Sequence, residues 1–213
     1  MSSENPTTVV LHIDPCCPWA WLTSRWLAEV ERVRPVHVVT RLIDLAEANR
    51  GKEEGRIRDS HEAGERASRV LVQARREGGD AALSRLYTEM GEAYQERAEP
   101  LGDPTVLRAC ATAAGLDPGL VDRALDDPGT LEELLAEHRA AAEKGAFGAP
   151  TLTVDGAAPI FGPVVDERIG GEPAGELWDH TIWMVRHGAF FELKRERTQK
   201  AKVGRYAAAA SAS

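Results

Sequence analysis

The chain has 213 residues, of which 43% are hydrophobic and 28% are charged. This length and apolar content allow a buried core and exclude a chain that is disordered throughout. The formal net charge of −8 at pH 7 disfavours nucleic acid as a partner, because an acidic surface repels phosphates. Apolar runs fall short of the roughly 20 residues that a membrane-spanning helix requires, so no membrane partner is expected.

The amino-terminal residues carry neither a basic segment nor a long apolar run, which predicts no signal peptide and a cytoplasmic location. The three cysteines, Cys16, Cys17 and Cys110, are too few for a disulfide scaffold. His, Cys, Asp and Glu residues show no metal-ligand spacing, so no metal is expected. The cysteines are therefore expected to matter, if at all, through the reactivity of their thiols.

The first 43 residues predict a β-α-β unit. Residues 8–13 and 36–43 are rich in β-branched side chains and predict two strands. A helix between them, ending at Pro35, is indicated by apolar residues at helical spacing: Leu22, Trp26, Val30 and Val33. Strand, helix and strand in this order predict a right-handed crossover and a parallel strand pair.

Residues 45–145 contain hardly any strand-like run and predict an all-helical insertion, broken at Gly78-Gly79. Three Asp-Pro pairs predict helix starts, since Pro has no N–H to lose in the first turn: Asp103-Pro104, Asp117-Pro118 and Asp127-Pro128. After the insertion, residues 151–154 and 159–161 predict a hairpin, and a last helix is expected from Pro173.

These elements predict one domain with an insertion. The core comprises residues 1–44 and 146–200, and residues 45–145 form a helical lid. Residues 201–213 are of low complexity and predict a disordered tail.

The densest chemical signal lies between the first strand and the first helix, at residues 14–21. Pro18 fits the first turn of the helix and thereby places Cys17 near the N-cap. Unpaired backbone N–H groups and the helix dipole favour a thiolate there, so the pKa of Cys17 is expected to be lowered. The alternative is a small, inert loop cysteine. Cys110 lies among alanines in a helical stretch and predicts a core residue.

The order of these features resembles the DsbA-like branch of the thioredoxin superfamily. The resemblance rests on the β-α-β start, Cys-Pro-Trp at residues 17–19, the helical insertion, and Gly-Ala-Pro-Thr at residues 148–151 before a hairpin. It implies an α/β, thioredoxin-like (DsbA-like) fold with a large all-helical insertion. It also implies a cis Pro150 beside the nucleophilic sulfur, with the backbone of Ala149 and Thr151 lining the edge that binds a thiol or substrate.

Motifs at both ends of the chain resemble the actinobacterial mycothiol-dependent nitroreductases. Beyond residues 14–21, they comprise Thr-Ser-Arg-Trp at 23–26, Phe-Gly-Pro at 161–163, Gly-Glu-Leu-Trp-Asp at 175–179 and Phe-Phe-Glu-Leu-Lys-Arg at 190–195. The resemblance runs from about residue 8 to 198 and is weakest over 50–100. It implies a cytoplasmic enzyme that uses mycothiol, or a similar low-molecular-weight thiol, as reductant for small electrophilic substrates such as nitro compounds.

Further residues are candidates for the binding of the thiol or the substrate. Pro18 and Trp19 belong to the Cys-Pro-Trp motif, and Trp19 is suited to wall a pocket for a flat aromatic substrate. Asn49 follows the second strand, where the resembling enzymes also place Asn-Arg, although it equally fits the end of a helix. His61 begins a helical stretch and points either into the cleft or to solvent.

Ala20 departs from the family pattern, which has a second cysteine at this position. A dithiol oxidoreductase needs that thiol to resolve a mixed disulfide. Three routes remain: resolution of Cys17 by a low-molecular-weight thiol, activation of a bound thiol without oxidation as in kappa-type glutathione transferases and related isomerases, or a vicinal disulfide with Cys16. A binding or chaperone-like module without turnover is the non-enzymatic alternative. The pattern leaves monomer and homodimer equally open.

Overall fold

The computed structural model describes residues 6–52 and 54–211. β1 (Thr7–Ile13) and β2 (Val36–Leu42) run parallel on either side of α1 (Pro18–Val33) in the sequence, which confirms the predicted β-α-β unit. α1 buries a face that includes Trp21 and Trp26, both inaccessible to solvent. This face anchors the helix, and therefore its amino-terminal cysteine, against the core.

The sheet has the strand order β2-β1-β3-β4. β3 (Thr151–Val154) pairs antiparallel with β1 and with β4 (Ile160–Phe161), which confirms the predicted hairpin. The last predicted helix is α7 (Glu172–Val185), and it packs on α1. Trp26 of α1 donates its indole N–H to the carbonyl oxygen of Ala174 in α7 at 3.0 Å.

In the described part of the stretch between β2 and β3 there are five α-helices: α2 (Leu45–Ala48), α3 (Gly55–Gly91), α4 (Pro104–Ala113), α5 (Leu120–Asp126) and α6 (Pro128–Glu143). α3 is interrupted by non-helical backbone at Gly78 and Gly79, as predicted, and continues into a π-helical turn at Glu92–Glu96. The helical character of this stretch is thereby confirmed, whereas its role as a lid over the core stays a prediction.

The Asp-Pro pairs start helices at two of the three predicted places. Asp103 and Asp127 accept hydrogen bonds from the backbone N–H two residues later and cap α4 and α6. Asp117 instead accepts from the N–H of Gly119, the residue that precedes α5. The third pair therefore forms a turn ahead of its helix, because its cap hydrogen bond closes before the helix begins.

The end of the chain differs from the predicted disordered tail. Ala201 and Val203 are buried, and residues from Gly204 form α8 (Gly204–Ser211); residues 212 and 213 lie outside the described part. The N–H of Gly204 donates to a carboxylate oxygen of Glu96 at 3.1 Å. The alanine-rich, low-complexity composition indicated disorder, and it does not reveal the hydrogen bond to the distant Glu96 that holds this segment.

Within the described residues, no helix is long and apolar enough to cross a membrane.

Candidate active site

Cys17 is the N-cap residue of α1, and Pro18 follows it at the first helical position. Its Sγ accepts a hydrogen bond from the N–H of Ala20 at 3.4 Å and donates to the carbonyl oxygen of Ala149 at 3.4 Å. The Ala149-Pro150 peptide bond is cis. The structure therefore brings together three of the predicted site residues: Cys17, Ala149 and Pro150. Cys17 and Ala149 are separated by 132 positions in the sequence.

The thiol of Cys17 is almost enclosed, with 6% of the residue exposed. Burial raises the pKa of Cys17, and so does the nearby carboxyl of Asp14; against the opposing hydrogen bond from the N–H of Ala20, the result is a pKa of about 11. The predicted lowering of this pKa is thus wrong for the structure as it stands. The helix start supplies the expected hydrogen bond, but burial of the sulfur has the larger effect.

Asp14 supports the loop before α1 from inside the protein. Its carboxylate accepts the backbone N–H of Cys16 at 2.8 Å and that of Leu45 at 3.1 Å. Burial raises the pKa of Asp14 to about 6, although both hydrogen bonds oppose the shift. Sequence reasoning placed Asp14 in the motif at residues 14–21 but gave it no role of its own; its place beside the cysteines was the available signal.

Two side chains from distant elements hold the carbonyl groups of the same loop. Gln95, in the π-helical turn, donates its amide to the oxygen of Pro15 at 3.1 Å. Arg205, in α8, donates to the oxygen of Cys16 at 3.3 Å. Sequence reasoning missed both residues, because no local motif marks a partner that lies 80 or 189 positions away.

All three cysteines are free and buried. Burial raises the pKa of Cys16 strongly and that of Cys110 to about 11. Cys110 lies within α4 and forms part of the core, as the sequence predicts. Cys16 lies on the same loop as Cys17, but burial raises the pKa of Cys16 more strongly, so its thiol is less readily ionised than that of its neighbour.

Aromatic rings border the cis-proline loop. Phe147 and Phe161 stack with their ring centroids 5.2 Å apart, and Phe147 is 73% exposed. Gly148, between Phe147 and Ala149, lies beside the ring of Phe161: an added β-carbon would contact that ring at 3.4 Å. Sequence reasoning missed this pair. It offers an apolar surface next to the loop that contacts Cys17.

Trp19 and Thr151 belong to the two segments that meet at the thiol: Trp19 lies in the first turn of α1, and Thr151 follows the cis proline. Trp19 is half-buried, with the guanidinium carbon of Arg197 lying 5.4 Å from the centre of its ring. Thr151 is buried and donates its hydroxyl to the oxygen of Gly148 at 2.7 Å, which closes the cis-proline loop. The predicted binding roles of Pro18, Trp19 and Thr151 stay predictions.

Asn49 and His61 line one cavity of about 400 Å³ between α2 and the start of α3, which we call the polar cavity. Its lining also includes Ala46, Arg50, Gly51, Arg58, Glu62, Glu65 and Arg66. Asn49 ends α2 and donates its amide to the oxygen of Leu45 at 2.9 Å, so it both terminates the helix and borders the cavity. Asp14 links this region to the thiol loop through the N–H of Leu45.

Comparison with known proteins decides the family. A family profile described as "Mycothiol-dependent nitroreductase Rv2466c" matches residues 16–195. The chain belongs to this Rv2466c-like family. The protein Rv2286c of Mycobacterium tuberculosis is 32% identical to this Rv2466c-like chain over 194 residues, which cover 90% of this chain and 83% of that protein.

Solved structures show the fold of this Rv2466c-like protein. A 2-hydroxychromene-2-carboxylate isomerase is similar with a TM-score of 0.60 and 16% identity, covering 84% of this chain and 95% of that one. The oxidoreductase DsbA of Xylella fastidiosa is similar with a TM-score of 0.54 and 19% identity, covering 86% and 88%. The predicted thioredoxin-like, DsbA-like fold is confirmed.

Ala20 of this Rv2466c-like protein is fully buried, one helical turn after Cys17, and offers no thiol. Across residues 6–52 and 54–211, no group of three or more His, Cys, Asp or Glu side chains is placed to hold a metal ion. The Cys17 thiol, the backbone groups of Ala20 and Ala149 and the carboxyl of Asp14 lie together at this centre.

Proposed function

We propose that this protein is a cytoplasmic, thiol-dependent oxidoreductase in which Cys17 acts with a low-molecular-weight thiol of the mycothiol type on a small electrophilic substrate. The observation that carries the proposal is the position of the Cys17 sulfur, which lies at the start of α1 and 3.4 Å from the Ala149 oxygen beside a cis proline. Membership of the Rv2466c-like family supports the choice of thiol.

The polar cavity fits a hydrophilic, hydroxyl-rich thiol. Asn49 and His61 supply side-chain donors and acceptors, and Arg50, Arg58 and Arg66 supply further donors. Its volume of about 400 Å³ lies within the range of roughly 300–1,000 Å³ that is usual for small-molecule sites. The cavity would hold the polar part of the thiol, while the aromatic pair of Phe147 and Phe161 suits a flat apolar substrate.

Two molecules of the thiol, oxidised together to their disulfide, would supply the two electrons and two protons for one two-electron reduction of the substrate. Cys17 would be the only protein thiol that this cycle requires, because Ala20 cannot resolve a mixed disulfide. Cys16 is a poorer resolving thiol, since burial raises its pKa strongly. We therefore favour resolution by a second thiol molecule.

The residues around Cys17 define how its proton moves. In the resting structure Cys17 is a thiol that donates to the Ala149 oxygen, and its pKa of about 11 keeps it protonated near neutral pH. After loss of the proton, the N–H of Ala20 at 3.4 Å stabilises the negative sulfur. The Ala149 oxygen would then repel the thiolate, which favours its attack on an approaching electrophile.

A second candidate function is a kappa-glutathione-transferase-like isomerase or conjugating enzyme that works without a disulfide cycle, in a biosynthetic pathway. The absence of a thiol at Ala20 and the protonated state of Cys17 favour it. A protonated Cys17 would donate a hydrogen bond to the sulfur of a bound thiol and stabilise that sulfur as a thiolate without itself being oxidised.

Intact-protein mass spectrometry after exposure to mycothiol disulfide tests the proposal. We expect a mass increase of one mycothiol that peptide mapping assigns to Cys17, and its removal by free mycothiol. The variant C17A should lose both the adduct and thiol-dependent turnover, whereas C110A should keep both. Turnover without any adduct on Cys17 would favour the isomerase or transferase. Full turnover in C17A would rule out both mechanisms.

A further inference from the structure

Arg205 brings a positive charge to the thiol loop from the opposite end of the chain. One of its terminal nitrogens donates to the oxygen of Cys16 at 3.3 Å and to the hydroxyl of Tyr206 at 3.1 Å. The guanidinium carbon lies 4.2 Å from the ring centre of Tyr94 and 4.7 Å from that of Tyr206. The guanidinium is thus fixed between two aromatic faces and the backbone of the loop.

No carboxylate neutralises this charge within residues 6–52 and 54–211. The salt bridges of that part of the chain do not include Arg205, and its buried Nε has no hydrogen-bond partner there. Most arginines of this acidic protein are paired with Asp or Glu side chains, including Arg34, Arg75 and Arg123. An unpaired guanidinium that is partly desolvated keeps its full electrostatic effect on neighbouring groups.

α8 is held so that Arg205 cannot easily leave this position. The N–H of Gly204 donates to a carboxylate oxygen of Glu96 at 3.1 Å. Gly204 also packs so closely that an added β-carbon would lie 2.1 Å from the backbone oxygen of Glu96. The same carboxylate of Glu96 accepts the indole N–H of Trp21 at 2.8 Å, which ties this anchor to α1.

The charged and titratable groups that face Cys17 come from three directions. Asp14 and Cys16 lie on its own loop, Tyr87 faces it from α3, and Arg205 faces it from α8. A negative charge on Asp14 opposes ionisation of Cys17, whereas the positive charge of Arg205 favours it. Burial of the thiol reduces solvent screening of both effects.

We propose that Arg205 is a positioning residue of the thiol centre, which fixes the loop through Cys16 and promotes ionisation of Cys17 through its unpaired charge. α8 thereby belongs to the active site. The proposal rests on the proposed function of Cys17 and goes beyond it by assigning a charged group that favours ionisation of the sulfur alongside the N–H of Ala20.

The test is the pH dependence of Cys17 alkylation by iodoacetamide, measured on the full chain by tandem mass spectrometry so that Cys16 and Cys17 are separated. R205Q keeps a donor for the Cys16 oxygen and removes the charge, R205K keeps the charge, and R205M keeps an aliphatic stem between the tyrosines. K202Q is the matched control, because Lys202 lies on the same segment but pairs with Glu167 at 2.7 Å, away from the loop.

We expect R205Q and R205M to lower the alkylation rate at pH 8 by about threefold to tenfold and to displace the pH profile upward, because thiolate content falls tenfold per pKa unit. R205K and K202Q should follow the wild type. Circular dichroism confirms that each variant is folded, and R205M serves where R205Q does not fold.

An R205Q or R205M profile that overlays the wild type would overturn the proposal, as would an equal displacement in K202Q or R205K. Wild-type Cys17 that resists alkylation at every pH would instead overturn the proposed function. The two failures are therefore distinguishable in one experiment.

Discussion

The backbone of Gly91 packs directly against the indole ring of Trp21: a β-carbon added at Gly91 would lie 2.1 Å from the Cζ3 atom of that ring. Gly91 is the last residue of α3, with helical backbone angles that any residue can adopt. The steric contact therefore decides the cost of substitution. We expect G91A to lower the free energy of unfolding by about 1–3 kcal/mol, the usual effect of overpacking a core.

Urea denaturation measures this change, and G102A is the control. A β-carbon at Gly102 would lie at an ordinary 3.6 Å from that of Ala63. Equal unfolding free energies for G91A and G102A would show that the indole can move away.

Asp14 is expected to suppress the reactivity of Cys17 at neutral pH. Its carboxylate raises the pKa of that thiol, so D14N should increase the alkylation rate of Cys17 at pH 8 by about threefold to tenfold. Because Asp14 itself has a pKa of about 6, the ratio of variant to wild-type rates should approach one below pH 6. A ratio that does not change with pH would contradict the electrostatic explanation.

The same carboxyl predicts how stability depends on pH. The folded-state pKa of Asp14 is raised to about 6, so the folded protein binds this proton more tightly than the unfolded chain does. Ionisation of Asp14 therefore lowers the free energy of unfolding as the pH rises from about 4 to 6. Over that window D14N should gain stability relative to wild type, by on the order of 3 kcal/mol for a fully buried group.

D103N is the control with the opposite sign. Hydrogen bonds from Thr105 lower the pKa of Asp103, so its carboxylate stabilises the fold above the unfolded-state pKa and this stabilisation is lost as pH falls. D103N should therefore lose stability relative to wild type as pH rises. Chemical denaturation at several pH values measures both trends, and parallel trends would contradict them.

Ala20 occupies the position at which the resemblance to the mycothiol-dependent nitroreductases implies a second cysteine. In A20C we expect oxidation to consume the Cys17 thiol together with the new one, so that one free thiol remains besides Cys110. Titration of accessible thiols after denaturation counts them. Since Ala20 is fully buried, the added sulfur should also cost about 1 kcal/mol of stability. An unchanged count of oxidisable thiols would show that the position cannot support a dithiol site.

If the polar cavity binds the low-molecular-weight thiol, a change in its lining should weaken binding of that thiol without changing the reactivity of Cys17. N49A should raise the KM for the low-molecular-weight thiol several-fold while leaving iodoacetamide alkylation of Cys17 unchanged. K52A is the control, since Lys52 donates to the Ala48 oxygen at the same end of α2 but does not border the cavity. An equal change of KM in N49A and K52A would indicate only a disturbed helix.

The order of elements and the position of Cys17 at a helix start could be predicted because both depend on local patterns. Pro18 marks the first turn of α1, and β-branched runs mark the strands. The cis peptide before Pro150 followed from the family resemblance and is present in the structure.

The acidity of Cys17 could not be predicted in the same way. The direction of its pKa shift depends on how deeply the sulfur is buried. That burial is produced by segments that are far apart in the sequence, including the one with Ala149. Gln95 and Arg205 were missed for the same reason: their contacts are long-range and no short motif marks them. Phe161 lies in the Phe-Gly-Pro motif at residues 161–163, but that motif does not indicate that the ring stacks on Phe147. The alanine-rich composition after Lys200 gave no sign of α8, whose Arg205 contacts the loop that carries the cysteines.

The hydrogen bond between Arg205 and Cys16 spans 189 positions of the chain. During synthesis on the ribosome, the loop that carries both cysteines emerges first, and its partner in α8 emerges 189 residues later. Closing so long a loop is entropically costly and slow. The reactive centre of a nascent chain is therefore expected to be completed only when α8 is made, so that a polypeptide released before α8 would carry its cysteines without Arg205.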